Sequence, residues 1–138
     1  MKNVLVDTSI WSLALRRSKP NEKEKQITFI LTNLIREYQV VIIGPIRQEL
    51  LSGISDLSAF ETLKRRMAVF SDHIIQTEDY EQAAEFSNIC RKKGIQGSHI
   101  DFLICSVAVK NGWDIFTEDQ DFLNYQKYLP INFYPAKA

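Results

Sequence analysis

Residues 98–117 read SHIDFLICSVAVKNGWDIFT, and their reading decides the fold. Between Ile100 and Val109 only Asp101 and Ser106 are polar. A helix there is apolar around nearly its whole circumference and has to be covered on every side. Ser98 is a strong N-cap residue and Gly112 suits a left-handed stop, so both ends of the helix are marked. Directly after it, Asp114, Ile115, Phe116 and Thr117 make a short strand. A buried helix that delivers the chain straight into a strand follows the element order of α/β proteins.

The alternation continues in both directions. Thr77 is expected to cap a helix over 78–93 that Gly94 stops, with a strand over 73–76 before it. Leu57, Phe60, Leu63, Met67 and Phe70 recur at helical spacing over 57–70 and predict one inward face. Pro45 fits the first turn of a helix ending at Leu51, where a missing N–H costs no hydrogen bond. Residues 39–43 are rich in β-branched side chains and predict a strand. Ile27, Ile30, Leu31, Leu34 and Ile35 predict a helix over 22–38, and a brief helix over 10–16 and a strand over 3–6 precede it. Beyond Thr117 come a short helix over 121–128 and a fifth strand over 131–134. Together they predict a mostly parallel central sheet of about five strands, covered on both faces, in a single domain over 1–138.

Composition narrows the function. With 138 residues and 45% hydrophobic content, the chain can bury a core without disulfides or a structural metal. Cys90 and Cys105 match no zinc spacing and read as reduced thiols. The opening MKNVLVD carries no leader pattern, and every apolar run is shorter than the ~18 residues of a membrane span. A cytoplasmic protein without membrane attachment is expected. Seventeen basic residues balance seventeen acidic ones, so the net charge does not advertise a nucleic-acid partner. Positive charge is nevertheless bunched at Arg16, Arg17 and Lys19, at Lys64, Arg65 and Arg66, and at Arg91, Lys92 and Lys93. Each bunch alone reads as a solvated helix face.

Parallel sheets gather ligands beyond the carboxyl ends of their strands, and acids stand at those ends. Asp7 follows the strand VLV, although Asp7, Thr8 and Ser9 could equally cap the next helix. Glu49 lies one turn into the helix after the second strand, where an isolated glutamate is ordinarily solvated. Asp101 is conspicuous in the first turn of the buried helix; a capping box with Ser98 and the helix dipole would explain it alone. Asp119 follows the fourth strand within TEDQDF, residues 117–122, where Glu118 reads as solvated and Asp121 as the start of a helix anchored by Phe122. If the first and fourth strands are neighbours, Asp7, Glu49, Asp101 and Asp119 surround one pocket. Crowded carboxylates repel one another and resist ionisation. A divalent cation resolves that conflict, and an all-oxygen shell selects Mg²⁺ or Mn²⁺. Such an ion can activate water and offset charge on a phosphoryl group.

Taken in order, VDTS (6–9), RQELLSGI (47–54), IDFLICSVAV (100–109) and TEDQDF (117–122) resemble the PIN-domain nucleases, most closely the VapC-type toxins. The match runs the length of the chain. The resemblance implies a three-layer α/β/α sandwich and a Mg²⁺- or Mn²⁺-dependent endoribonuclease, paired with an antitoxin and usually homodimeric. The family's acidic quartet falls on Asp7, Glu49, Asp101 and Asp119, and its supporting hydroxyls on Ser9 and Thr117. Gly94 resembles the usual lead-in to the third acid. Cys105 and Ser106 stand where such toxins often carry small residues, a departure expected to alter packing rather than chemistry.

On this reading Asp7, Asp101 and Asp119 hold the metal, directly or through its waters, and Glu49 completes the acidic wall. Water then attacks an RNA phosphodiester in line and leaves 5′-phosphate and 3′-hydroxyl ends. No histidine is required: His73 is expected to be structural, and His99 to point away from Asp101. The basic bunches would flank the pocket around a dimer groove and offset its repulsion of RNA.

Three rivals compete. An aspartyl-nucleophile phosphatase also ends a strand in aspartate, but usually carries a second one where this chain has Ser9. A Toprim-like site uses Asp119 and Asp121 but leaves Asp7 and Asp101 without a role. A non-catalytic interaction domain would use the acids only as helix caps. Ile10, Trp11 and Leu13 could offer it a partner surface, though core packing is the expectation.

Overall fold

The computed structural model describes residues 2–15 and 19–136. Four strands, β1 (Val4–Val6), β2 (Val40–Ile43), β3 (Asp72–His73) and β4 (Asp114–Phe116), form one sheet in the order β3-β2-β1-β4. Every pairing is parallel. Seven helices flank it: α1 (Thr8–Ala14), α2 (Glu22–Arg36), α3 (Gly44–Leu51), α4 (Leu57–Met67), α5 (Thr77–Lys92), α6 (His99–Asn111) and α7 (Asp121–Gln126). This is the expected α/β sandwich with one strand fewer.

Register places the site. Val4 lies opposite both Val40 and Asp114, Leu5 opposite Val41 and Ile115, and Val6 opposite Phe116. Since β1 and β4 run in parallel, the chain leaves both at the same edge of the sheet. The Asp7 N–H extends the ladder one step by donating to the Phe116 carbonyl at 2.9 Å. All three residues of β1 are buried, which is why VLV is apolar on consecutive positions rather than alternating.

The stretch 98–117 folds as its composition demands. Phe102 through Ala108 are all buried in α6, which packs on α5 and β4. Ser98 Oγ accepts the Asp101 N–H at 3.1 Å, and Gly112 takes a φ of 68° at the other end. Ser106 satisfies its buried hydroxyl by donating to the Asp79 carbonyl of α5 at 2.6 Å. Ile10 and Trp11 are buried, and Trp11 meets Phe70 edge-on at 5.2 Å between centroids. Core packing therefore accounts for that helix. Its expected end at Arg16, and the first basic bunch at Arg16 and Arg17, lie outside the described residues.

Several expectations are corrected. The segment 131–134 forms only a single bridge, Ile115 to Phe133, instead of a fifth strand. Pro130 and Pro135 bracket it, and proline interrupts a ladder because it has no N–H to donate. The third strand shrinks to Asp72–His73. Helix α5 is capped by Gln76 rather than Thr77, because Asp79 accepts the Gln76 N–H at 2.8 Å and fixes the start one residue earlier. Leu57 points into solvent, being the first helical residue after the Asp56 cap. Helix α2 stops at Arg36, and Tyr38 turns the chain with a left-handed φ of 55°. Among the described residues no helix is long and apolar enough to cross a membrane.

Candidate functional site

The pairing of β1 with β4 brings Asp7 and Thr117 together across 110 positions. Thr117 Oγ1 donates to Asp7 Oδ2 at 2.7 Å, and Ser9 Oγ donates to the same oxygen at 2.8 Å. Each hydroxyl has one proton and commits it to Asp7, so their mutual 3.3 Å approach follows from the shared acceptor. The hydroxyls themselves accept from the loop after β4. Glu118 N–H reaches Ser9 Oγ, and Asp119 N–H reaches Thr117 Oγ1, both at 3.0 Å. Two peptide dipoles thus act through two hydroxyls on one buried carboxylate oxygen. Asp7 occupies the N-cap position of α1, yet its side chain makes no capping hydrogen bond. Helix capping therefore does not explain why an aspartate stands there.

Asp101, Asp119 and Asp121 form a second group, each offering a carboxylate oxygen within 4.8 Å of the others. Helix α6 supplies Asp101 from its first turn, and the β4–α7 loop supplies Asp119 and Asp121. Asp119 is oriented by accepting the Asp121 N–H on Oδ1 at 2.9 Å. Asp101 is oriented by the Tyr125 hydroxyl, which donates to Oδ2 at 2.7 Å. Glu49 is exposed on α3 and lies outside this group. Asp121, read from sequence as a helix start, does begin α7, but it also joins the carboxylates.

Electrostatics ties the two groups together. Burial pushes the Asp7 carboxyl above its ordinary range, against the lowering effect of Thr117, Ser9 and the Thr8 backbone, while the Asp119 charge pushes it further. Burial likewise raises Asp101, opposed by Tyr125 and Ser98 and reinforced by the charges of Asp7 and Asp119. The Tyr125 phenol is pushed up in turn by burial and by its bond to Asp101. The Asp119 charge thus acts on both Asp7 and Asp101, and the Asp7 charge acts on Asp101. Among the described residues, no lysine, arginine or histidine pairs with any of them or with Asp121; the basic partners sit at Asp114, Glu118, Glu22, Asp72, Glu78 and Asp79. An all-carboxylate cluster without a counter-charge among the described residues fits a hard divalent cation.

Neighbouring features sort into support and periphery. Glu118 is half-buried against Lys23, at 3.0 Å, rather than freely solvated. His73 stacks edge-on against Trp113 at 4.9 Å, and His99 is exposed. Cys105 is fully buried, and burial pushes its thiol well above the ordinary range, which suits packing rather than reactivity. Arg91 lines a cavity together with Gly97, His99 and Phe102, next to the start of α6. Lys64, Arg65 and Arg66 close α4, where cations favour the helix dipole. Sequence reasoning missed Tyr125, which no local pattern connects to Asp101, 24 positions away.

A family model described as the PIN domain matches residues 4–128. No curated protein matches the chain significantly. Among solved structures, FitAcB from Neisseria gonorrhoeae aligns at TM-score 0.72 and 20% identity, covering 89% of this chain and 93% of that one. FitAB bound to the IR36 DNA fragment aligns at 0.71 and 21%, covering 89% and 90%. VapBC2 from Rickettsia felis, bound to a DNA fragment from their promoter, aligns at 0.68 and 16%, covering 92% of each chain. At such identities the likeness establishes a shared fold.

Proposed function

The chain belongs to the PIN domain family, and from that premise we propose that it is a Mg²⁺- or Mn²⁺-dependent endoribonuclease, the toxin of a VapBC-type toxin–antitoxin pair. The observation that carries the proposal is the convergence of Asp101, Asp119 and Asp121 beside buried Asp7, without a compensating cation among the described residues. The likeness to VapBC2 and the motif resemblance to VapC-type toxins support an antitoxin partner. A cytoplasmic homodimer completes the proposal.

Asp7, Asp101 and Asp119 hold the ion, directly or through its waters, and Asp121 adds a carboxylate at the exposed side. When bound, the ion supplies positive charge that activates water and stabilises the phosphate under attack. Ser9 and Thr117 keep one oxygen of Asp7 occupied, so that the carboxylate meets the ion in a fixed orientation. Glu49 extends the acidic wall from α3. Arg91, Lys92 and Lys93 hold the RNA backbone beside the start of α6, where the acids alone would repel it. In-line cleavage leaves 5′-phosphate and 3′-hydroxyl ends.

Two measurements test this together: sequencing RNA ends after brief expression of the wild type and of Asp7→Asn, and cleavage by purified protein with Mg²⁺ or Mn²⁺. New 5′-phosphate ends with the wild type alone are expected. A purified protein that binds neither ion and cuts no RNA would overturn the proposal and favour an interaction domain.

A further inference from the structure

We propose that Tyr125 is a positioning residue for metal binding, with Gly97 as the notch that admits it: the phenol holds Asp101 in the orientation the ion requires. This inference rests on the metal-site reading above.

Tyr125 is fully buried although it ends in a polar group, and its hydroxyl donates to Asp101 Oδ2 at 2.7 Å. Its ring is fixed by Phe102 at 5.0 Å and Phe122 at 5.2 Å. Gly97 completes the enclosure. A Cβ there would stand 2.8 Å from Tyr125 Cζ and 2.9 Å from Phe102 Cε2, and closer still to the phenolic oxygen. Such distances are below any van der Waals contact, so only glycine lets the phenol reach this position. The backbone at Gly97 has no positive φ to explain the residue otherwise.

Among the described residues the Tyr125 hydroxyl donates to Asp101 alone. A first-turn aspartate on a helix has free χ angles; Ser98 accepts the Asp101 N–H and also favours its ionised carboxyl locally, while Tyr125 holds Oδ2 from 24 positions away. With Oδ2 held by Tyr125, the plane of the carboxylate is set before an ion arrives, and the ordering entropy of that side chain is not lost on binding. Hydrogen-bonded partners of metal ligands typically change affinity 10–100-fold when removed. Packing alone would be met by phenylalanine at position 125, with a larger residue in place of Gly97.

The test is a Mn²⁺ titration of the full chain, by calorimetry or the manganese EPR signal, on wild type, Tyr125→Phe, Gly97→Ala and Asp101→Asn. Tyr125→Phe should bind Mn²⁺ about 10–100-fold more weakly while remaining folded. Gly97→Ala keeps the hydroxyl but displaces it, and should weaken binding in the same direction. RNA cleavage by Tyr125→Phe should return on raising Mn²⁺ by a similar factor, which a folding defect would not allow. If Asp101→Asn loses the ion while Tyr125→Phe binds it as the wild type does, the positioning role is overturned and the metal site stands. If the wild type binds no ion, or Asp101→Asn binds it unchanged, the metal-site reading fails and this inference with it.

Discussion

Thr117→Val removes one hydroxyl at constant volume, and the structure says what that does. Thr117 is 3% exposed and Asp7 6%, so water cannot replace the lost donor. A hydrogen bond to a charged group contributes about 1.5–3 kcal/mol, and orphaning the Asp119 N–H adds roughly 1 kcal/mol. The metal-free protein should therefore lose about 2–4 kcal/mol at neutral pH, a fall in Tm of roughly 6–16 °C for a domain of this size. The effect depends on pH, with a sign fixed by Asp7. Burial holds its native pKa above the unfolded value, so ionising Asp7 subtracts stability as pH rises through the native pKa. Removing Thr117 raises that pKa further and widens the loss above it. At a pH below the native pKa of Asp7, where the carboxyl is protonated, only a neutral hydrogen bond of about 0.5–1.5 kcal/mol is missing. Urea denaturation of wild type and Thr117→Val at the two pH values, in chelator, measures both. An equal loss at both would refute the idea that the hydroxyl serves a buried anion.

Asp7→Asn should raise the metal-free Tm, since it removes a buried charge that burial disfavours, and should abolish cleavage; a lower Tm would contradict the electrostatic account. Asp119→Asn should eliminate cleavage, whereas Glu118→Gln should leave it nearly intact, because only the Glu118 backbone N–H reaches Ser9; end-labelled RNA assays decide. Reversing the charges of Arg91, Lys92 and Lys93 should weaken RNA binding and flatten its salt dependence by a slope of about 2–3 if all three contact phosphates, with a smaller effect at Lys64, Arg65 and Arg66. An unchanged slope would remove these clusters from the RNA path. Saturating Mn²⁺ at about 100 times its Kd should stabilise the wild type by about 2.7 kcal/mol and Asp101→Asn far less, measured by thermal denaturation.

Much of this was legible in the chain because local physics and tertiary need coincide. The all-round apolar helix announces its own burial, and a Ser98 cap or a Gly112 stop is a property of a few adjacent residues. Strand ends could be placed well enough to gather Asp7, Asp101 and Asp119 at one edge. What escaped is set by distant partners. Residues 131–134 look like a strand by composition, but prolines at 130 and 135 leave them one bridge. Asp121 has the signature of a helix start and is one; its second role depends on where α6 begins. The phenol of Tyr125 and the missing side chain of Gly97 explain each other only in space. Glu49 shows the converse: its place in the motif was clear, while the fold leaves it exposed on α3, where no neighbour among the described residues fixes its orientation in a way the sequence could announce.

The adjacency of β1 and β4 also has a consequence for the chain during its synthesis. Asp7 and its Ser9 hydroxyl bond come from one short segment, but the Thr117 bond and all three clustered carboxylates come from residue 98 onward. The chain through residue 100 supplies β1, β2 and β3 but not β4, the strand that pairs with the other side of β1. The site can be complete only once β4 and the loop after it have been made and β4 has docked on β1.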